Sequence, residues 1–256
     1  MKSKISIGLL ILLLVVVMIM GERKFNQPLS KSTTITTTTH IEEKQEPETF
    51  SEKLLNGNPV TVVFLGDSTT EQNETTEGSL NHVGLFNEWF SKTYPGLVKV
   101  ANAGVSGNTI VQMKDRLNKD VISHNPDLVI VCSGVNDSGG TLKVGVDEFE
   151  KNYSLLIKEI LDSGAEIILR TPNLTLDPLF NQKMEPYIAV IKKLAVEYKI
   201  DLFDFYALEK KGINNKNIVQ SKLMYNTIHP NAKGQQYIFD NFKSYLESEI
   251  IKAKKK

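Results

Sequence analysis

The sequence is poor in the groups on which several kinds of chemistry depend. It contains one cysteine, Cys132, in 256 residues. That excludes an internal disulfide and leaves no thiolate cage for a metal. Set in the apolar run "DLVIVCSG", the thiol reads as a small buried hydrophobe. Charge of one sign is also missing: 30 basic side chains balance 30 acidic ones, so no basic face suggests a nucleic acid as partner. No glycine run with a following lysine is present to cradle a nucleotide phosphate, which argues against a nucleotide-binding role. Histidine is scarce, with four in the chain, and each has to be weighed singly.

One long apolar run does occur. Lys2 and Lys4 precede residues 5–20, which carry no charge, and a positive flank before an apolar core is the pattern of an export signal. The run is close to the ~17 residues that a thin bilayer requires. Met18, Ile19 and Met20 are unsuited to a small-residue cleavage site, and no cysteine stands nearby to carry a lipid anchor. Residues 1–21 are therefore expected to form an uncleaved signal-anchor, with a cleaved signal peptide and secretion as the alternative. Either way the rest of the protein would be extracytoplasmic. Residues 22–56, rich in Thr, Glu and Lys with few large apolar side chains, are expected to be a disordered tether, because burial there cannot offset the entropy of ordering. His40 lies in it. Residues 57–256 are expected to form a single domain, a length that suits one core.

From Pro59 onward, β-branched runs alternate with stretches of helical period. "VTVVFLGDS", "LVKVANAG", "DLVIVCSG", "AEIILRTPN" and "IDLFDF" read as strands. Helices are predicted over 80–94, 109–123, 146–163, 180–198 and 232–251. Short continuous apolar strands separated by helices indicate a parallel sheet covered on both faces. The predicted class is α/β, an open doubly wound sheet of about five parallel strands, since a full (β/α)8 barrel needs more chain. Ligands of such sheets bind beyond the carboxyl ends of the strands, near the reversal of strand order. Three polar loops leave those ends: "GDS" at 66–68, "GVSGN" at 104–108 and "GVND" at 134–137. A strand order of 2-1-3 would make them neighbours. Each alone is also an ordinary turn.

Together they supply the parts of an acyl-transfer site. A serine hydroxyl becomes a nucleophile when a base takes its proton, and histidine suits that near neutral pH. His229, in "MYNTIHPNAKG" before the last helix, could reach Ser68 over the same sheet edge. The oxyanion formed by attack needs preorganised donors. The backbone N–H groups of Ser68 and Gly107 and the side-chain amide of Asn136 could provide them, with Gly107 leaving the approach open. His82 and His124 read as surface or packing residues, and Asp67 as a buttress of the serine turn.

"FLGDST", "NAGVSGNT", "SGVND" and "NTIHPN", in this order, resemble the four sequence blocks of the GDSL-type esterases and lipases, or SGNH hydrolases. The resemblance spans residues 60–248. It implies a three-layer α/β/α, flavodoxin-like fold and hydrolysis of carboxylic esters or thioesters through an acyl-serine. Carried onto this chain, it implies Ser68 as nucleophile, His229 as base and Ser68, Gly107 and Asn136 as the oxyanion hole, with no metal or cofactor. The implied substrates are small-molecule, glycan or lipid esters.

One position departs from the pattern. The family usually has aspartate three residues before the histidine, and this chain has Asn226. An asparagine carbonyl can accept the ring N–H but brings no negative charge, and in a serine protease triad the same exchange costs about 10⁴ in turnover. Three readings follow: Asn226 orients the ring in a slower hydrolase; another carboxylate, Asp204 or Asp137, takes over; or the fold is retained for binding glycan or lipid without chemistry. An acyltransferase is a variant of the first, since an acyl-serine can pass its acyl group to a sugar hydroxyl. The ring is expected to face Asn226.

Overall fold

The computed structural model describes residues 47–254. The signal-anchor expected at residues 1–21, and most of the tether expected at 22–56, lie outside that range. Helix α1 (Phe50–Leu55) falls inside the span assigned to the tether. Thr49 caps it reciprocally with Glu52, the Phe50 N–H donates to the Glu166 carboxylate, and Phe50 and Leu54 are buried against the domain. The compact unit therefore takes in residues 47–56, ahead of the boundary expected at residue 57. Two apolar side chains and a capping box suffice to order a segment that is polar on average.

Five strands follow the expected runs: β1 (Val60–Gly66), β2 (Val98–Gly104), β3 (Leu128–Val131), β4 (Glu166–Arg170) and β5 (Asp201–Phe203). All pair in parallel in the order β2-β1-β3-β4-β5. β1 and β3 are buried on both faces, so every second residue serves a different core. Val63, Leu65, Val129 and Val131 face one cluster, closed by α3 (Ile110–Asp115), α4 (Leu117–Asp120), α6 (Val146–Asp162) and α7 (Pro178–Tyr198). Val62, Phe64, Leu128 and Ile130 face the other, closed by α1, α2 (His82–Thr93) and α9 (Ala232–Ala253). The second cluster is aromatic: Phe86 lies 5.3 Å from Phe64, 5.0 Å from Phe239 and 5.3 Å from Phe242. Such ring pairs add to the area term of burial.

The helix predicted over 109–123 is broken at Arg116, whose side chain is drawn into the loops above the sheet. Two further helices escaped the periodicity, α5 (Val135–Gly139) and α8 (Phe205–Asn214). α5 has barely one turn, and α8 opens directly at the end of β5. Among the described residues no helix is long and apolar enough to cross a membrane.

Candidate active site

β2, β1 and β3 end side by side, so the three polar loops emerge at one edge. After β1 the chain turns tightly, the Asp67 carbonyl accepting the N–H groups of Thr70 and Glu71 at 3.0 and 2.9 Å. The Asp67 carboxylate accepts the Thr69 N–H at 2.9 Å and is itself buried, which raises its pKa. Asp67 thus braces the turn from inside while Ser68 faces out. The turn is held from behind by Asn81 and Asn102, which donate to the Thr70 carbonyl at 2.7 and 2.8 Å, and by Gln235 of α9, which donates to the Thr69 carbonyl at 3.0 Å. A Cβ on Gly104 would stand 2.3 Å from the Glu71 nitrogen, so only glycine allows β2 this close.

In the loop after β2, Gly107 has φ +77°, while a Cβ there would meet nothing within 4 Å. Its glycine is required by backbone conformation and leaves the approach open as well. Arg116 fastens this loop to the end of β1, donating to Asn108 Oδ1 at 2.7 Å and to the Gly66 carbonyl at 3.0 Å. In the first turn of α5, just after β3, Asn136 Nδ2 donates to the Asn108 carbonyl at 3.0 Å. One amide hydrogen holds the side chain, and the second is left for a ligand. The N–H groups of Ser68 and Gly107 donate to no group among the described residues. Three donors are thereby gathered at one edge.

The fourth element is the loop between α8 and α9. Met224 and Pro230 pair across it in an antiparallel bridge, and the Tyr225 N–H donates to the His229 carbonyl at 2.8 Å. Asn231 caps α9 through the Gly234 N–H at 3.0 Å, and its amide donates to the Lys222 and Met224 carbonyls at 3.1 and 3.2 Å. Asn173 donates to the Ile228 carbonyl at 3.2 Å. Held in this way, His229 places Nε2 2.9 Å from Ser68 Oγ, across 161 positions of sequence.

The other ring nitrogen faces Asn226. Asn226 Oδ1 accepts the N–H groups of Ile228 and His229 at 2.9 and 2.8 Å. This settles which end of the amide is oxygen, since a flipped amide would oppose NH2 to two backbone donors. His229 Nδ1 lies 3.2 Å from that oxygen and 3.1 Å from Nδ2. With the proton on Nδ1 the ring donates to Oδ1 and Nε2 is free to accept from Ser68. The opposite tautomer is served by Nδ2, and Oδ1 already has two donors. The amide thus orients the ring and leaves both tautomers open, where a carboxylate would select the productive one. Burial lowers the His229 pKa below its ordinary 6.5, opposed by the charge of Glu74.

Neither alternative carboxylate reaches the ring. Asp137 is buried and accepts from Ile110 N–H at 2.8 Å, Ser133 Oγ at 2.9 Å and Gly134 N–H at 3.1 Å; burial pushes its pKa up to about 6. It fixes the start of α5, which carries Asn136. Asp204 caps α8 through the Ala207 N–H at 3.2 Å, accepts from Thr171 Oγ1 at 3.0 Å and pairs with Lys192 at 2.5 Å. His82 is a packing residue, buried at 1% exposure, with Nδ1 2.6 Å from Gln235 Oε1 and its pKa lowered to about 3 by burial and Arg170. His124 ends a short 3-10 helix, and Cys132 is buried, its thiol pushed up to about 11 by burial. Among the described residues no cluster of His, Cys, Asp or Glu has the arrangement of a metal site. Gln235, Arg116, Asn173 and Asn73, which donates to the Ser68 carbonyl at 2.8 Å, were not singled out in the sequence. They act by single hydrogen bonds between distant segments, which no local pattern announces.

Comparisons with known proteins give the family and the fold. The model of the GDSL-like lipase/acylhydrolase family matches residues 64–237. An acetylxylan esterase of Geobacillus stearothermophilus is 27% identical over 214 residues, covering 75% of this chain and 96% of that protein. Thioesterase 1/protease 1/lysophospholipase L1 of Escherichia coli (strain K12) is 26% identical over 181 residues, covering 70% of this chain and 80% of that protein. The crystal structure of the Geobacillus stearothermophilus esterase superposes with a TM-score of 0.63 at 25% identity, covering 73% of this chain and 93% of that one. Solved catalytic mutants of that esterase replace a serine, an aspartate and a histidine, the last two three positions apart. Asn226 and His229 have the same spacing.

Proposed function

The chain belongs to the GDSL-like lipase/acylhydrolase family and is a serine ester hydrolase, and from that premise we propose that Ser68 and His229 carry its chemistry. The observation that supports this reading most is the 2.9 Å approach of His229 Nε2 to Ser68 Oγ. In the proposed course, Nε2 takes the hydroxyl proton as Oγ attacks the acyl carbon. The carbonyl oxygen, becoming an oxyanion, is met by the N–H groups of Ser68 and Gly107 and by the free amide hydrogen of Asn136. Donors fixed before the charge develops need no reorganisation when it does. Collapse of the tetrahedral adduct expels the alcohol, which takes the proton from His229 and leaves an acyl-Ser68. Water then attacks the acyl carbon with His229 again as base, releasing the acid and restoring the serine.

Asn226 holds the ring without charging it, so turnover is expected to be slower than with an acid at that position. The proposed substrate is a short acyl ester, acetyl in the first instance, on a carbohydrate. This rests on the acetylxylan esterase likeness, which runs through nearly the whole of that relative. The apolar residues 5–20 are proposed to tether the domain outside the cytoplasm, where envelope carbohydrate or lipid esters are found. The test is hydrolysis of 4-nitrophenyl acetate by the purified chain and by Ser68→Ala. The variant is expected to lose about a thousandfold or more; equal rates would end the reading. Asn226 also favours a second reading, ligand binding without chemistry, which predicts carbohydrate binding that Ser68→Ala leaves intact and no turnover in either protein.

A further inference from the structure

His82 is the first residue of α2, and its ring stands edge-on to Phe64 at 6.0 Å. A ring kept there for packing alone would be as well served by phenylalanine. The polar atoms of His82 instead belong to a chain that ends at the nucleophile turn. Arg170 Nη1 lies 3.4 Å from His82 Nε2, and His82 Nδ1 lies 2.6 Å from Gln235 Oε1. Gln235 Nε2 in turn donates to the Thr69 carbonyl at 3.0 Å. The chain thus crosses from β4 through α2 and α9 to the turn after β1.

The direction of every link is fixed by groups that cannot reverse. The Thr69 carbonyl can only accept, so Gln235 presents its NH2 there. At the other end of that amide, Oε1 accepts the His82 backbone N–H at 3.1 Å, which can only donate. His82 Nδ1 faces the same oxygen and therefore carries the ring proton. Nε2 keeps its lone pair for Arg170, a group that can only donate. Burial and the guanidinium charge both hold the ring neutral. Arg170 anchors the chain: it is buried, stacks over Phe205 at 5.5 Å, and only its Nη1 has a hydrogen-bond partner among the described residues. Hydrogen bonds in a buried chain of one direction polarise one another, so each link strengthens the next.

We infer that His82, anchored by Arg170, is a positioning residue for Ser68, fixing through Gln235 the residue that follows the nucleophile. The inference rests on the hydrolase reading of the same site. Thr69 is gripped on both sides, its N–H by the Asp67 carboxylate at 2.9 Å and its carbonyl by Gln235. Ser68 lies between the two gripped residues, and its Oγ has to meet His229 Nε2 at 2.9 Å. A shift of about 1 Å in such a contact can cost about a hundredfold in rate.

The test joins NMR of the full chain with isotope-labelled histidine to the kinetics of 4-nitrophenyl acetate hydrolysis. The His82 ring, identified by its loss in His82→Phe, is expected to show the proton on Nδ1. His82→Phe keeps a ring and cuts the chain; at a temperature where it is folded, kcat should fall about ten- to a hundredfold with KM little changed. His82→Gln, whose amide can accept from Arg170 and donate to Gln235, should recover most of that loss. Gln235→Met removes the last link and carries the same expectation independently. The double variant of His82→Phe and Gln235→Met should be no slower than either single one, because residues of one chain are not additive. A ring protonated on Nε2, an unchanged kcat in folded His82→Phe, or additive losses in an active chain would overturn the inference alone. A native chain that hydrolysed no ester would overturn the hydrolase reading, and the role of His82 with it.

Discussion

At the scale of single residues, the site divides into groups that meet the ester and groups that aim them. Asn136 belongs to the first kind, and its aim is fixed by the 3.0 Å bond to the Asn108 carbonyl. Asn136→Ala should lower kcat by about 10²–10³, the usual cost of one oxyanion donor, with little change in KM, as steady-state kinetics would show. Ser68, Gly107 and Asn136 could be named from the sequence because each sits in a short polar block at a strand end, and His229 because its polar block leads into the last helix. Asn226 could be named as a departure from the pattern, yet its effect could not be read there. Only the two backbone N–H groups on Oδ1 reveal which end of the amide is oxygen, and the ring lies within reach of both ends. Substitution by Asp137 or Asp204 was open on paper; both prove to be committed to building loops and helix ends.

At the scale of elements, the last loop and α9 work as a unit. Asn231 is at once the cap of α9 and the tie that closes the His229 loop. Asn231→Ala should cost about 1–2 kcal/mol of stability, measured by urea unfolding, and should also lower kcat, since the loop that aims His229 loses two bonds. A cap acting on stability alone would leave kcat unchanged at temperatures where the variant is folded. The five strands and the long helices were legible because their apolar periods are long and regular. α1, α5 and α8 were not: each is short, and α1 is set in a polar stretch where composition pointed to disorder. Its order comes from Phe50 and Leu54 finding the far side of the sheet, a tertiary contact.

At the scale of the whole molecule, a buried set of titratable groups underlies the site. Arg170, at the end of β4, is almost fully buried, lies 3.4 Å from His82 Nε2 and stacks over Phe205 at 5.5 Å. Glu209 of α8, also buried, accepts the Leu174 N–H at 2.7 Å, and burial raises its carboxyl to about 7 despite the nearby Arg170. A carboxyl whose folded pKa exceeds its unfolded value stabilises the protein below the unfolded value, near 4.5, and loses that contribution as pH rises through about 7. Glu209→Gln is uncharged at every pH and keeps an oxygen for Leu174. Its stability relative to wild type should therefore rise between pH 4.5 and pH 8, as thermal unfolding at the two values would register. His82 works in the opposite sense: kept neutral by burial, it favours the folded state above its unfolded value of 6.5 and withdraws that as pH falls toward about 3. The overall α/β plan was readable from the order of strands and helices, whereas this buried set was not, because its members come from β4, α2 and α8.

The central claim is that Ser68 is a nucleophile made reactive by His229 in spite of Asn226. A fluorophosphonate, which phosphonylates only an activated serine, tests it directly when the modified peptide is identified by mass spectrometry. The predicted result is a single adduct on the peptide bearing Ser68, formed in the native chain and lost in His229→Ala. An unmodified Ser68 in the folded native protein, or equal labelling with and without His229, would contradict it.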